Sequence, residues 1–229
     1  MNEVKNSGID SGLSKKQFKG QDVALANKEL GLYAVFDGVG NKENSLEAAL
    51  IASASIQASV ERSLDKSVHN SPHSLVEAIH AAHQEIVIES AFRPMGSTTA
   101  TVVKLTRSSD KLFLAWVSVG DSRLYIRPKN GKLMQFSRDE SSGIYVDNCL
   151  GDEKHFHEVS QEGLMELEKG SEIVIVSDGV FGNEKDDLIS LEEIDKALLK
   201  SPTAQQAADE LNRISKKDDD KTAIVLRIN

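Results

Sequence analysis

Leu32-Tyr-Ala-Val-Phe-Asp37-Gly38-Val-Gly40 sets five apolar residues in a row before an acid and a glycine, and Ile173-Val-Ile-Val-Ser-Asp178-Gly179 repeats the design. A third stretch runs the other way, with Asp218-Asp219-Asp220 preceding Thr222-Ala-Ile-Val-Leu226. Short apolar runs bounded by turn residues mark strands buried on both faces. Each aspartate therefore emerges at a sheet rim. A carboxylate there is costly unless something positive meets it, and hard divalent cations such as magnesium or manganese take oxygen ligands. Alone, Asp-Gly reads as a turn and an acidic run as a solvated loop. It is the joint order of the three that changes the odds.

Further strand-like runs occupy Thr98–Leu105, Leu112–Val119 and Leu124–Arg127, rich in Val, Ile and Thr. Ser45–Leu64 reads as an Ala-rich helix capped by Asn44, with Glu47 at capping-box spacing. A second helix is expected from Ser71-Pro72, turning Val76, Ile79, His83, Ile86 and Val87 inward. The polar stretch Leu64–Pro72 reads as the loop between them. Ser190-Leu-Glu-Glu193 and Thr203-Ala-Gln-Gln206 are two more cap signatures, the second leading into a stripe at Ala207, Leu211 and Ile214. Strands, a helix pair, more strands and another helix pair do not alternate as a doubly wound sheet does. The expectation is an α+β layered sandwich.

The chain has 229 residues, 39% hydrophobic and 28% charged, which suits a single soluble domain spanning residues 1–229. Its net charge of -9 disfavours nucleic acid and anionic lipid as partners. The first residues lack the apolar core of a signal peptide, and no run is long enough for a membrane span, so a cytoplasmic location is expected. Cys149 is the single cysteine, which excludes an intrachain disulfide and a thiolate metal cluster. His80 with His83 and His155 with His157 have zinc-like spacing without an obvious third ligand, so surface or packing roles are expected for them.

Gln21-Asp22, Asp37-Gly38-Val39-Gly40, Gly96-Ser-Thr-Thr-Ala100, Gly120-Asp-Ser-Arg123, Ser177-Asp-Gly179 and Asp219-Asp-Lys-Thr222 together, in this order, resemble the motifs of the PP2C (PPM) family of metal-dependent protein serine/threonine phosphatases, bacterial type. The resemblance implies a four-layer αββα sandwich, two mainly antiparallel β-sheets flanked by helix pairs. It implies two divalent cations, Mn2+ or Mg2+. Asp37 bridges both, the Gly38 carbonyl binds one, Asp178 and Asp219 complete the other, and Asp22 holds a metal-bound water. Asp121 matches the position at which some relatives bind a weaker third metal together with Asp178. The implied reaction is hydrolysis of phosphoserine and phosphothreonine in proteins by a metal-activated water, without a phospho-enzyme.

This sequence also departs from the pattern. Gln17 stands where the family commonly has a phosphate-gripping arginine, leaving Lys19 or Lys16 to bind phosphate. Gln21 stands where many relatives have glutamate, and the segment from Ser137 to Gly151 is a shortened flap. Arg123 and the Gly96–Ala100 hydroxyls are expected to make structural contacts. The implied partner is a phosphoprotein opposing a Ser/Thr kinase, with the enzyme a monomer. The alternative is a weak or inactive PP2C-like module that binds a phosphoprotein or regulator, and a calcium-binding structural module is a third reading.

Overall fold

The structure, a computed structural model, describes residues 8–40, 44–63, 67–68, 70–143, 145–183, 186–187 and 189–229. In chain order the elements are β1 (Ile9–Lys16), β2 (Val23–Asn27), β3 (Leu32–Phe36), α1 (Ser45–Arg62), α2 (Ser71–Ser90), β4 (Ala100–Ser108), β5 (Lys111–Val119) and β6 (Arg123–Arg127). The short strands β7 (Met134–Gln135), β8 (Ser141–Ser142) and β9 (Tyr145–Val146) follow, then β10 (Glu162–Leu167), β11 (Glu172–Val176) and α3 (Asp178–Phe181). The chain continues through β12 (Gly182–Asn183), β13 (Asp186–Asp187), α4 (Leu191–Lys200), α5 (Ala204–Ile214) and β14 (Lys221–Ile228).

Two five-stranded sheets form, β1-β14-β11-β6-β7 and β10-β5-β4-β3-β2, with every neighbour antiparallel. The run Leu32–Phe36 shows why they stack. Leu32, Ala34 and Phe36 pack with Ala48, Ala52, Ile79 and Ile86 of α1 and α2. Tyr33 and Val35, on the opposite face, pack with Leu124, Ile126, Ile175 and Ile224 of the other sheet. That second sheet sends Val174, Val176 and Val225 outward against Ile194, Leu198, Ala207 and Leu211 of α4 and α5. Strand alternation thus feeds three apolar layers between four layers of structure, and the α+β sandwich is the observed architecture.

The helices follow the sequence closely, with one exception. The boxes at Ser190/Glu193 and Thr203/Gln206 both form. Asn44 makes no side-chain cap bond; it adopts a left-handed φ of 67° and its amide donates to the Pro94 carbonyl at 2.7 Å. Glu47 pairs with Arg93 instead of closing a box. In α2, Ile79, His83 and Ile86 are buried as expected, whereas Val76 and Val87 are half-buried and Leu75, Ala78 and Ala82 fill the inner face. Leu64 and part of the loop expected at Leu64–Pro72 lie outside the described residues.

Candidate active site

The sheet rims bring the expected acids together. Asp22 precedes β2, Asp37 follows β3, Asp121 lies between β5 and β6, Asp178 opens α3, and Asp219 leads into β14. The backbone of Asp37 is fixed from both sides: Thr99 N–H and Thr98 Oγ1 donate to its carbonyl at 2.8 and 3.0 Å, and its own N–H donates to Thr99 Oγ1 at 3.1 Å. The hydroxyls of Gly96–Ala100 therefore hold the strand end that carries Asp37. Gly38 is required by space, since a Cβ there would meet the Gln21 carbonyl oxygen at 2.9 Å.

Burial pushes the Asp37 carboxyl well above its usual range, and the charges of Asp22, Asp178, Asp121 and Asp219 push it further. Asp22 is raised to about 6, first by burial and then by Asp220 and Asp178, against hydrogen bonds from Thr222 and Ser177 that favour its charged form. Those hydroxyls donate to Asp22 Oδ2 at 2.7 and 2.8 Å. Asp121 is raised to about 7 by burial and by Asp178 and Asp139. Five mutually repelling carboxylates in one place form a strongly negative site.

The positive groups facing them come from two lysines. Lys217 donates through Nζ to Asp178 Oδ2 and lies 3.3 Å from Asp219 Oδ2. Lys19 lies 3.4 Å from Asp219 Oδ1. Lys16 is exposed at the end of β1, opposite Lys221 in the ladder, and Gln17 is exposed beside it. Of the two lysines expected to bind phosphate, Lys19 is thus the one with a contact to an acid of the cluster.

Asp220 has a different task from its neighbour. Its carboxylate accepts backbone N–H bonds from Phe18, from Lys19 at 2.8 Å, from Gly20 at 3.0 Å and from Gln21 at 2.5 Å. Burial would raise its pKa, but these four donors hold it below the usual value. Asp220 thereby clamps the loop that carries Lys19 beside the acids. The fit behind it is tight: a Cβ on Gly179 would fall 1.7 Å from the Asp220 carbonyl oxygen.

The shortened segment after β7 is tied down by acids. Glu140 accepts from Gly120 N–H at 3.0 Å and Asn148 Nδ2 at 2.8 Å, joining it to the Asp121 turn. Buried Arg123 pairs with half-buried Asp139 at 2.7 Å and stacks over Phe181 at 3.6 Å, the structural contact expected of it. Of the four histidines with zinc-like spacing, His83 is buried and His80, His155 and His157 are exposed. His83 stacks on Phe156 with 3.9 Å between centroids and accepts Gly151 N–H at 3.1 Å, while His155 pairs with Asp152. Cys149 is buried.

Among the described residues no three His, Cys, Asp or Glu side chains close a ready-made metal cage. The donor set nonetheless suits hard cations. All candidate ligands are oxygens, the charges of Asp22, Asp178, Asp121 and Asp219 raise the pKa of Asp37, Asp22 Oδ1 is buried with no hydrogen-bond partner among the described residues, and the Lys217 ammonium already stands as a cation between Asp178 and Asp219. Sequence reasoning gave no role to Lys217, Ser177, Thr222 or Asp220. Ser177, Asp220 and Thr222 did carry a signal, since they lie within two of the motifs behind the resemblance.

Among the described residues no helix is long and apolar enough to cross a membrane. A family model described as protein phosphatase 2C matches residues 14–217. No curated protein sequence gives a significant match. Several solved structures share the fold. PppA, a key regulatory component of T6SS in Pseudomonas aeruginosa, superposes with a TM-score of 0.77 at 19% identity, covering 97% of this chain and 99% of that one. The catalytic domain of the serine/threonine protein phosphatase PstP, in complex with two manganese ions, gives 0.76 at 19% identity, covering 96% and 99%. The S. agalactiae serine/threonine phosphatase gives 0.80 at 16% identity, covering 96% and 100%. With a family match running from β1 to the edge of the acidic triplet, this chain belongs to the protein phosphatase 2C family, a family of protein serine/threonine phosphatases.

Proposed function

We propose that this chain hydrolyses phosphoserine and phosphothreonine in proteins in a metal-dependent reaction at the Asp22, Asp37, Asp121, Asp178 and Asp219 cluster. The observation that carries the reading is the Asp37 carboxyl, half-buried at the sheet rim and surrounded by the charges of the other four acids. Asp37, the Gly38 carbonyl, Asp178 and Asp219 would hold two divalent cations, Mn2+ or Mg2+, and Asp121 with Asp178 a weaker third. When bound, such ions activate water and offset charge on the phosphate.

The chain's own residues supply the rest. Asp22, held by Ser177 and Thr222 through Oδ2, keeps Oδ1 available to accept a hydrogen bond from the attacking water. Lys19 presents an ammonium to the substrate phosphate from a loop fixed by Asp220. With no side chain assigned as a nucleophile, the water attacks phosphorus directly and the serine or threonine alcohol leaves. PppA and PstP are described as a regulatory component and a protein phosphatase, which favours a regulatory phosphoprotein as substrate, opposed to a Ser/Thr kinase.

Purified protein is to be assayed on an aryl phosphate and a phosphothreonine peptide with manganese, magnesium, calcium or EDTA, alongside Asp178→Asn. Turnover with manganese or magnesium, abolished by EDTA and by the substitution, is expected. Metal binding without turnover would favour a phosphoprotein-binding module, the reading suggested by Gln17 and Gln21.

A further inference from the structure

We infer that Lys217 is a displaceable internal counter-ion, which holds Asp178 and Asp219 together until a divalent cation takes them from it. The inference deepens the proposed function and rests on its metal site. Lys217 bonds Asp178 Oδ2 and lies 3.3 Å from Asp219 Oδ2, so one ammonium engages both acids assigned to the same cation. It is largely buried, with a side-chain exposure of 19%, and Asp37 also contributes to its field. Lys19 is a weaker rival at 37% exposure, touching only the other oxygen of Asp219.

An ammonium and a divalent ion both bind carboxylate oxygens but differ in demand. The ammonium offers three directional donors and a single charge. A divalent ion draws more oxygens around itself at shorter range. Lys217 Nζ engages the Oδ2 atoms of both Asp178 and Asp219, the carboxylates that the proposed ion would take. Binding of the ion therefore includes breaking the lysine pairs. The cost appears as weaker metal affinity, and the benefit as a cluster that stays folded without metal.

This mechanism has a signature in binding as well as in turnover. Removing the charge while keeping an apolar stem, Lys217→Met, is expected to tighten manganese binding by about tenfold or more, the factor that corresponds to one charged contact no longer broken. The same change lowers the melting temperature in EDTA, because Asp178 then loses its ammonium partner and Asp219 keeps only the more exposed Lys19. Lys217→Arg keeps the charge and adds a fork suited to two carboxylates, so its manganese affinity is expected to equal or fall below that of the unaltered chain.

The experiment is calorimetric titration of the metal-free chain and both variants with manganese, together with thermal melts in EDTA and in manganese. Tighter binding by Lys217→Met and no tightening by Lys217→Arg supports the inference. So does a Lys217→Met chain that is unfolded in EDTA and folds on adding manganese. Equal affinities in all three proteins, or weaker binding by Lys217→Met, overturn the counter-ion role while leaving the metal site standing. Absence of manganese binding in every protein overturns both.

Discussion

Thr222 Oγ1 donates to Asp22 Oδ2 at 2.7 Å, joining the start of β14 to the start of β2 across 200 residues of sequence. Ser177 Oγ donates to the same oxygen and accepts Thr222 N–H at 3.0 Å, so the three residues form one buried unit that orients Asp22. Thr222→Val keeps the shape and deletes one donor. The expected cost is about 1–3 kcal/mol in urea unfolding. The Asp22 carboxyl, losing a bond to its charged form, rises above about 6. Manganese binding weakens in a calorimetric titration; unaltered stability and affinity together would rule out the orienting role.

The acid cluster predicts an inverted pH dependence for the metal-free protein. Asp22 goes from 3.8 unfolded to about 6 folded, and Asp121 from 3.8 to about 7. The folded chain therefore binds more protons between these values. Their contribution to stability is fully present below the unfolded pKa and is lost as pH rises through the folded ones. Asp220 works in the opposite sense, but its folded pKa is depressed, so its contribution is lost only on acidification below that window. The melting temperature in EDTA should fall between about pH 5 and pH 7, and saturating manganese should flatten or reverse the slope. Asp121→Asn should reduce the fall. A melting temperature that climbs steadily over this range in EDTA contradicts the assignment.

Asp220→Ala removes the acceptor of four backbone N–H groups at once. The expected destabilisation is about 2–4 kcal/mol, because the 18–21 loop must find water for donors that a carboxylate had satisfied. With Lys19 released, KM for a phosphopeptide should rise more than kcat falls. Asp220→Asn, with one acceptor oxygen in place of two, should lie between. A variant with unchanged KM would remove Lys19 from phosphate binding.

Gly179→Ala is expected to be more severe than its size suggests. The added methyl group would sit 1.7 Å from the Asp220 carbonyl oxygen, so α3 and the approach to β14 must separate. Asp178 and Asp219 move apart with them. Loss of manganese binding, with a melting temperature below that of the unaltered chain, is the expected readout.

The sequence made the centre of the fold legible because Leu32–Phe36 and Ile173–Val176 are buried on both faces and admit no polar residue. The caps at Ser190 and Thr203 were readable because both partners of each box lie within one helical turn. Asn44 was not, because its amide is claimed by Pro94, a tertiary partner that no local pattern announces. β1 escaped notice for a similar reason: Ile9-Asp-Ser-Gly-Leu-Ser-Lys-Lys16 lies at a sheet edge, mostly half-buried, and gains its ladder only from β14. At the site, acids at strand ends could be read from strand pattern. Their partners could not, since Ser177, Thr222 and Lys217 are ordinary residues until folding sets them against Asp22 and Asp178.

The position of β14 has a consequence for synthesis. This strand lies between β1 and β11 in its sheet, and Asp219, Asp220 and Thr222 stand at its head. During translation the chain emerges from its N-terminal side, and long-range strand pairing must wait for the later partner. Until residues 219–228 have left the ribosome, β1 has no ladder, the 18–21 loop has no clamp, and Asp22 lacks one of its two hydroxyl donors. β14, the last of these strands to emerge, therefore completes both the sheet and the acid cluster at its rim, and the proposed site takes shape only at that late step.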